Sequence, residues 1–220
     1  MMTTLKHRRS LDAVLVLAGA AVLVASTILS RRGVYGWEVA IFQVINDLPG
    51  ALRPFLWVMN QYGTIVIIPV AAVLALVFRK WVLAASLAIS GVAVYWLANV
   101  IKEFVSRGRP ATLVAGVAER EVFAPGSFGY PSGHAAVAWA ITIIVLAYLG
   151  RPWQILAIVL ASVVPLCRIY VGAHLPLDLI GGAALGVTVT SAVNLILGVP
   201  TKAPAQGTRS GPARLNASIA

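Results

Sequence analysis

Lys102, Arg109, Ser132, Gly133, His134, Arg168, His174 and Asp178 are residues whose types and spacing can do chemistry together. Lys102, Arg109 and Arg168 can neutralise a phosphate dianion, and each arginine can hold two oxygens at once. Ser132 suits the N-cap of a helix opening at Gly133, where free backbone N–H groups and the positive end of the helix dipole favour an anion. The Ser132 hydroxyl and the Gly133 N–H can add hydrogen bonds. His134, in the same turn, can give or take a proton near neutral pH. His174 and Asp178 are four apart and can meet across one helical turn. A carboxylate on one imidazole nitrogen fixes the tautomer and makes the other nitrogen the better nucleophile. His134 is then the general acid for the leaving oxygen, and one hard displacement becomes two easier steps.

Taken singly, these residues have plainer readings. Ser132 can be an ordinary cap, Lys102 can snorkel from the end of an apolar run, Arg107 and Arg109 can be loop charges, and His174 with Asp178 can be a structural pair. Arg168 is harder to dismiss, because a charge inside an apolar span is costly and usually functional. The joint occurrence favours a phosphate site.

The elements that must position these residues are apolar. The 220-residue chain is 60% hydrophobic and 11% charged, with a mean hydropathy of +0.89; soluble domains are about a quarter charged. Uncharged runs reach the roughly 20 residues that a bilayer crossing needs. The expectation is an all-α, polytopic membrane bundle of six transmembrane helices, one domain over 1–199 with a disordered tail over 200–220. The spans are Ala13–Ser30, a segment within Pro54–Phe78 from Thr64 onward, Trp81–Ile101, Gly133–Leu149, Trp153–Val171 with a kink at Pro165, and Pro176–Leu197. The first could pass for a signal peptide, but its length and the absence of a clear cleavage site favour a retained span. Gly182 and Gly186 form a small-xxx-small pair that allows close helix packing. Trp37–Leu48 has Trp37, Ala40, Ile41, Val44, Ile45 and Leu48 at helical spacing, with Glu38, Gln43, Asn46 and Asp47 between. It reads equally well as an interfacial amphipathic helix or as a small helix packed on the bundle.

Span parity brings Lys102, Ser132–His134, Arg168, His174 and Asp178 to one membrane face. A cytoplasmic location of the termini puts that face outside a cell membrane. The raw Lys and Arg counts on the two sides are nearly even, but the outer side also carries nearly all the acids. The formal net charge of +10 sits mostly at span ends, which fits topology and anionic lipids better than nucleic acid. The lone Cys167 can form neither an intrachain disulfide nor a cysteine metal site.

These residues fall into three ordered motifs. Lys102 to Arg109-Pro110 fits K-x6-R-P, Pro131-Ser132-Gly133-His134 fits P-S-G-H, and Arg168-x5-His174-x3-Asp178 fits the end of S-R-x5-H-x3-D. In this the chain resembles the type 2 phosphatidic acid phosphatase superfamily, which also includes vanadium haloperoxidases. The resemblance implies a phosphohistidine on His174 oriented by Asp178, and His134 as acid and then as base for water. It implies a phosphate pocket of Lys102, Arg109, Ser132, Gly133 and Arg168, with no metal and no cofactor. Cys167 stands where the pattern has Ser, which leaves one hydrogen bond, to phosphate or structural, open.

The function expected is an integral membrane lipid phosphatase acting on a lipid phosphate or diphosphate, with undecaprenyl diphosphate favoured. Phosphatidic acid and phosphatidylglycerophosphate are the near alternatives, followed by phosphotransfer to an acceptor other than water. A non-catalytic lipid-binding or transport protein fits less well, because His134, His174 and Asp178 are all present. Six spans argue against a haloperoxidase, and P-S-G-H is not the G-x-S-x-G elbow of a serine hydrolase.

Overall fold

Nine helices follow one another along the described part of the chain. They are α1 (Ser10–Arg32), α2 (Gly36–Asn46), α3 (Arg53–Asn60), α4 (Ile67–Val77), α5 (Trp81–Val105), the short α6 (Pro110–Leu113), α7 (Gly133–Val145), α8 (Arg151–Tyr170) and α9 (Pro176–Leu197). The structure, a computed structural model, describes residues 6–7 and 10–200; the expected tail from 201 to 220 lies outside them. A two-residue antiparallel pair, β1 (Lys6–His7) with β2 (Val199–Pro200), joins the start and end of the described chain.

The all-α expectation holds. Four helical stretches are long and apolar enough to cross a bilayer: Ser10–Arg32, Trp81–Leu113, Arg151–Tyr170 and Pro176–Leu197. The segment expected as the second span is a pair, Gly50–Gly63 and Ile67–Val77, bent by 60°. The expected fourth span stops at Val145 instead of Leu149. At 13 residues α7 is about 20 Å long, short of the roughly 30 Å hydrocarbon layer. The six apolar segments therefore comprise four full-length helices, one bent pair and one short central helix.

α7 and α9 form the centre because their facing residues are small. An added Cβ at Gly182 would run into the Ser132 carbonyl oxygen, and one at Gly186 into that of Ala136. The expected Gly182/Gly186 pair is thus the place where the two backbones touch. Ala135, Ala136 and Ala140 complete the α7 side, all essentially buried, while Ala138 packs on Ala161 and Val164 of α8. α1 packs on α9 at Gly19, against Thr188. Its large side chains Leu11, Val14, Leu17 and Val24 point outward, while Asp12, Ser26 and Ser30 are buried. Asp12 accepts a bond from Asn194 Nδ2 at 3.2 Å, and Ser26 Oγ lies 2.8 Å from Tyr130 Oη. With lipid as the solvent, Asp12 and Ser26 find their partners inside the protein.

The same rule decides α2. Glu38, Phe42 and Asn46, spaced by one helical turn each, face the interior, while Trp37, Ile41 and Val44 are exposed. An interfacial helix with its polar face in water is not what forms. Of the two readings, packing on the bundle is the one realised, with the acidic and amide groups turned in.

Candidate active site

Four chain segments converge on one end of the bundle: the last turn of α5, the connection from Ser106 to Pro131, the start of α7, and the α8–α9 junction. Lys102 lies in the last turn of α5, which runs to Val105, beyond the expected stop at Ile101. Ser132 is the N-cap of α7 as expected, its Oγ accepting from the Ala135 N–H at a long 3.5 Å. The Ser132 N–H donates to the Asp178 carbonyl at 2.9 Å, tying the start of α7 to α9. No atom would meet a Cβ on Gly133 within 4 Å, so its backbone borders open space.

His174 is not on α9. It sits in the turn before it, and Asp178 is the third residue of the helix. His174 Nδ1 faces Asp178 Oδ2 at 3.5 Å, a charge contact without hydrogen-bond geometry, since Nδ1 has no hydrogen-bonded partner. Burial, then the charges of Arg168, Arg109 and Lys102, push the His174 imidazole well below its ordinary range; the Gly129 backbone works the other way. The ring is therefore neutral at physiological pH, with a lone pair available. Lys102, Arg109 and Arg168, expected as one cationic cradle, are the cations that act on it.

The cradle is held open by its own loop. Arg109 Nε donates to Ser127 Oγ at 2.7 Å and its Nη1 to the Ala173 carbonyl at 3.1 Å, while its guanidinium stacks on Phe123 at 4.2 Å. Arg168, buried at the end of α8, donates from Nη1 to Glu121 Oε2 at 2.6 Å and keeps its Nε unpartnered. Cys167 beside it is fully buried. Among the described residues, no group of three or more His, Cys, Asp or Glu is placed to hold a metal ion.

Two openings lead to His134. A cleft of about 830 Å³ has Arg53, Trp57, Asn60, Gln61, Glu121 and Phe123 among its lining residues. On the other side, a small cleft of about 150 Å³ joins Lys102, Gly133 and His134 to Gly63, Ile65 and Tyr95. Ile65 and Tyr95 also line an apolar groove of about 670 Å³ between α4 and α5.

Residues that the sequence left as loop charges or helix polar groups complete the site. Arg107 is 6% exposed and Glu38 and Asp178 are 0% exposed, so three charges are withdrawn from solvent together. Arg107 bonds both oxygens of Glu38, at 3.2 and 2.6 Å, and Asp178 Oδ1 at 2.9 Å. Burial opposes the Arg107 charge, but Glu38 and Asp178 outweigh it and hold its pKa above the usual value. Arg120 donates to the carbonyls of Asn46 and Tyr170 at 2.7 Å, and Asn46 itself bonds the backbone of Ala118, Ile169 and Tyr170. The signal available in the sequence was Glu38 and Asn46 two helical turns apart on one side of a mostly apolar short helix.

The profile of the PAP2 superfamily matches residues 79–200, which contain every expected site residue. The chain belongs to the PAP2 superfamily. It is similar to the undecaprenyl-diphosphatase of Sulfolobus acidocaldarius, 33% identical over 153 residues that cover 69% of this chain and 74% of that protein. It is also similar to the decaprenylphosphoryl-5-phosphoribose phosphatase of Mycobacterium tuberculosis, 32% identical over 54% of this chain and 63% of that one. The crystal structure of Aquifex aeolicus LpxE superposes with a TM-score of 0.65 at 24% identity, over 72% of this chain and 95% of that one, and supports the fold alone. This PAP2 protein is accordingly a membrane-embedded lipid phosphatase.

Proposed function

We propose that the protein removes the terminal phosphate of a polyprenyl diphosphate, undecaprenyl diphosphate being the favoured substrate, through a phosphohistidine at His174. The observation that carries this reading is the apolar groove between α4 and α5 that meets Lys102, Gly133 and His134 through the small cleft. The groove's apolar lining suits a hydrocarbon chain. Lys102, at the mouth of the groove, is placed to neutralise the phosphate that stays on the lipid. The likeness to an undecaprenyl-diphosphatase agrees with it.

In this mechanism Arg109, Arg168, the Ser132 hydroxyl and the Gly133 N–H hold the non-bridging oxygens of the transferred phosphate. Arg168 exchanges Glu121 for phosphate as the substrate enters. With Nδ1 toward Asp178, His174 Nε2 attacks phosphorus. The bridging P–O bond breaks, and His134 protonates the departing oxygen. His134 then takes a proton from water, whose oxygen attacks phosphorus; the P–N bond breaks and inorganic phosphate leaves. Fixed cations supply the electrostatic stabilisation. The reaction face lies opposite the Arg79-Lys80 and Arg151 turns, which supports an extracytoplasmic site in the cell membrane.

A second reading has its own observation. The larger cleft combines Trp57 with Asn60, Gln61 and Arg53, a lining that suits a phosphate carried on a sugar, as in the name of the mycobacterial relative. Phosphate release by purified protein in detergent separates the readings. Undecaprenyl diphosphate is expected to give the highest kcat/KM against phosphatidic acid, phosphatidylglycerophosphate and a polyprenyl-linked sugar phosphate. A clear preference for any of the others overturns the assignment. Labelling of Val122→Cys, at a position 98% exposed, by an impermeant maleimide in intact spheroplasts tests the face; protection there with labelling after lysis reverses the orientation.

A further inference from the structure

The strongest unassigned feature is a chain of buried charges that starts on α2 and ends at the imidazole. Glu38 binds Arg107 through both oxygens, and its Oε1 also accepts the Leu177 N–H at 3.0 Å. Arg107 Nη2 is further fixed on the Gly33 carbonyl at 3.2 Å. Arg107 Nη1 then takes Asp178 Oδ1 at 2.9 Å. Asp178 Oδ2 takes the Leu175 N–H at 2.9 Å and faces His174 at 3.5 Å. Glu38 thus has both oxygens on Arg107 and accepts the Leu177 and Tyr35 N–H groups, while Asp178 has one oxygen on Arg107 and the other on the Leu175 N–H.

Counting charge along this line gives its logic. Two carboxylates share one guanidinium, so Arg107 is divided between Glu38 and Asp178. What Arg107 gives to Glu38 it withholds from Asp178, and what Asp178 keeps it can direct at His174. The remaining groups facing His174 are Arg168 from α8, Arg109 from the loop, Lys102 from α5 and His134 from α7, all basic. Asp178 is the single anion among these groups, so it is the one side chain there whose charge favours a proton on the ring.

We propose that Arg107 and Glu38 are positioning residues for the reaction: Arg107 sets how much of the Asp178 charge reaches His174, and Glu38 sets how much of Arg107 reaches Asp178. This rests on the reading of His174 as the nucleophile held by Asp178. Neither residue touches the phosphate. Simple structural glue would lose activity on substitution at either position without a direction in pH. The charge chain instead moves the acid limb in a stated direction. Removing Glu38's charge commits Arg107 to Asp178, weakens the hold on the imidazolium, and moves the acid limb of kcat/KM down. Removing Arg107's charge strands a buried carboxylate, which takes up a proton instead of standing charged, so the hold is lost and the limb moves down as well.

The test is the pH profile of kcat/KM for the full-length protein in detergent, with one lipid diphosphate substrate whose own titration is common to all variants. Glu38→Gln keeps the shape and an acceptor for Leu177. Its acid limb is expected about one unit lower, roughly tenfold in kcat/KM at a pH below the limb. Arg107→Gln is expected to lower it too, because the stranded Asp178 takes up a proton, and Arg107→Lys to return it toward the wild-type position. An unchanged or raised limb in Glu38→Gln overturns the proposal, and that variant decides alone if Arg107→Gln does not fold by thermal melt and gel filtration. His174→Gln in the same assay keeps the two claims apart. Its inactivity beside a wild-type limb in Glu38→Gln rejects the charge chain only, whereas its full activity rejects the nucleophile.

Discussion

Gly182→Ala should damage the site without touching any charged residue in it. Gly182 faces the first turn of α7, and an alanine Cβ there would lie inside the contact distance of the Ser132 carbonyl oxygen, and 3.1 Å from the Ala135 Cβ. Both obstacles belong to helical backbone or its first side-chain atom, so neither can rotate away. Relief requires α7 and α9 to part on the order of 1 Å, a displacement that can cost about 100-fold in rate when it separates reacting groups. That movement stretches the 2.9 Å bond from the Ser132 N–H to the Asp178 carbonyl, and it carries Gly133 and His134 away from Asp178 and His174. Overpacking costs about 1–3 kcal/mol and the lost bond about 1 kcal/mol more. The assay is phosphate release and the thermal midpoint in detergent, with Gly150→Ala as control, because a Cβ at Gly150 meets nothing within 4 Å. The variant should lose about two orders of magnitude in kcat and melt several degrees lower; a variant that keeps both at the control's values refutes the packing argument.

Stability should depend on pH through His174. Its folded pKa lies below the ordinary 6.5, so the unfolded chain binds the proton first; the stabilisation is full above about 6.5 and is lost as pH falls toward the folded value. Thermal midpoints should fall on acidification below that point, and His174→Gln should flatten the slope. Asn46→Leu removes a side chain that donates to Ala118, Ile169 and Tyr170 carbonyls and accepts from the Ala118 N–H at 2.8 Å. Leaving these groups unpaired should cost about 1–3 kcal/mol, seen as a lower melting midpoint together with easier proteolysis of the 114–130 loop. Chelation tests the cationic cradle: turnover should be unchanged in excess EDTA, whereas loss that a divalent ion restores contradicts it.

The parts of the site that were legible in the sequence are those whose chemistry is local. Ser132 caps α7 because a hydroxyl before Gly133-His134 is a cap in any solvent. His174 and Asp178 meet because four residues of chain cannot take them far apart. Gly182 and Gly186 read correctly because only a small residue permits two backbones to touch. What the sequence hid depends on the surroundings. The polar residues of α2 were read against water, but the face of α2 that carries Trp37, Ile41 and Val44 is outermost, which reverses the meaning of Glu38 and Asn46. Arg107 was indistinguishable from a loop charge until α2 supplied its partner from 69 residues away. Glu121 gave no sign of pairing with Arg168, since that contact depends on how the loop folds back over the cradle.

The central claim is that phosphate passes through His174, and trapping it there tests the claim most directly. Wild-type protein is mixed with lipid diphosphate labelled in the terminal phosphate, quenched within one turnover in alkali, and digested. The account predicts an acid-labile, alkali-stable label on the peptide containing His174, and none in His174→Gln. Label on another residue, or label and turnover that persist in His174→Gln, contradicts it.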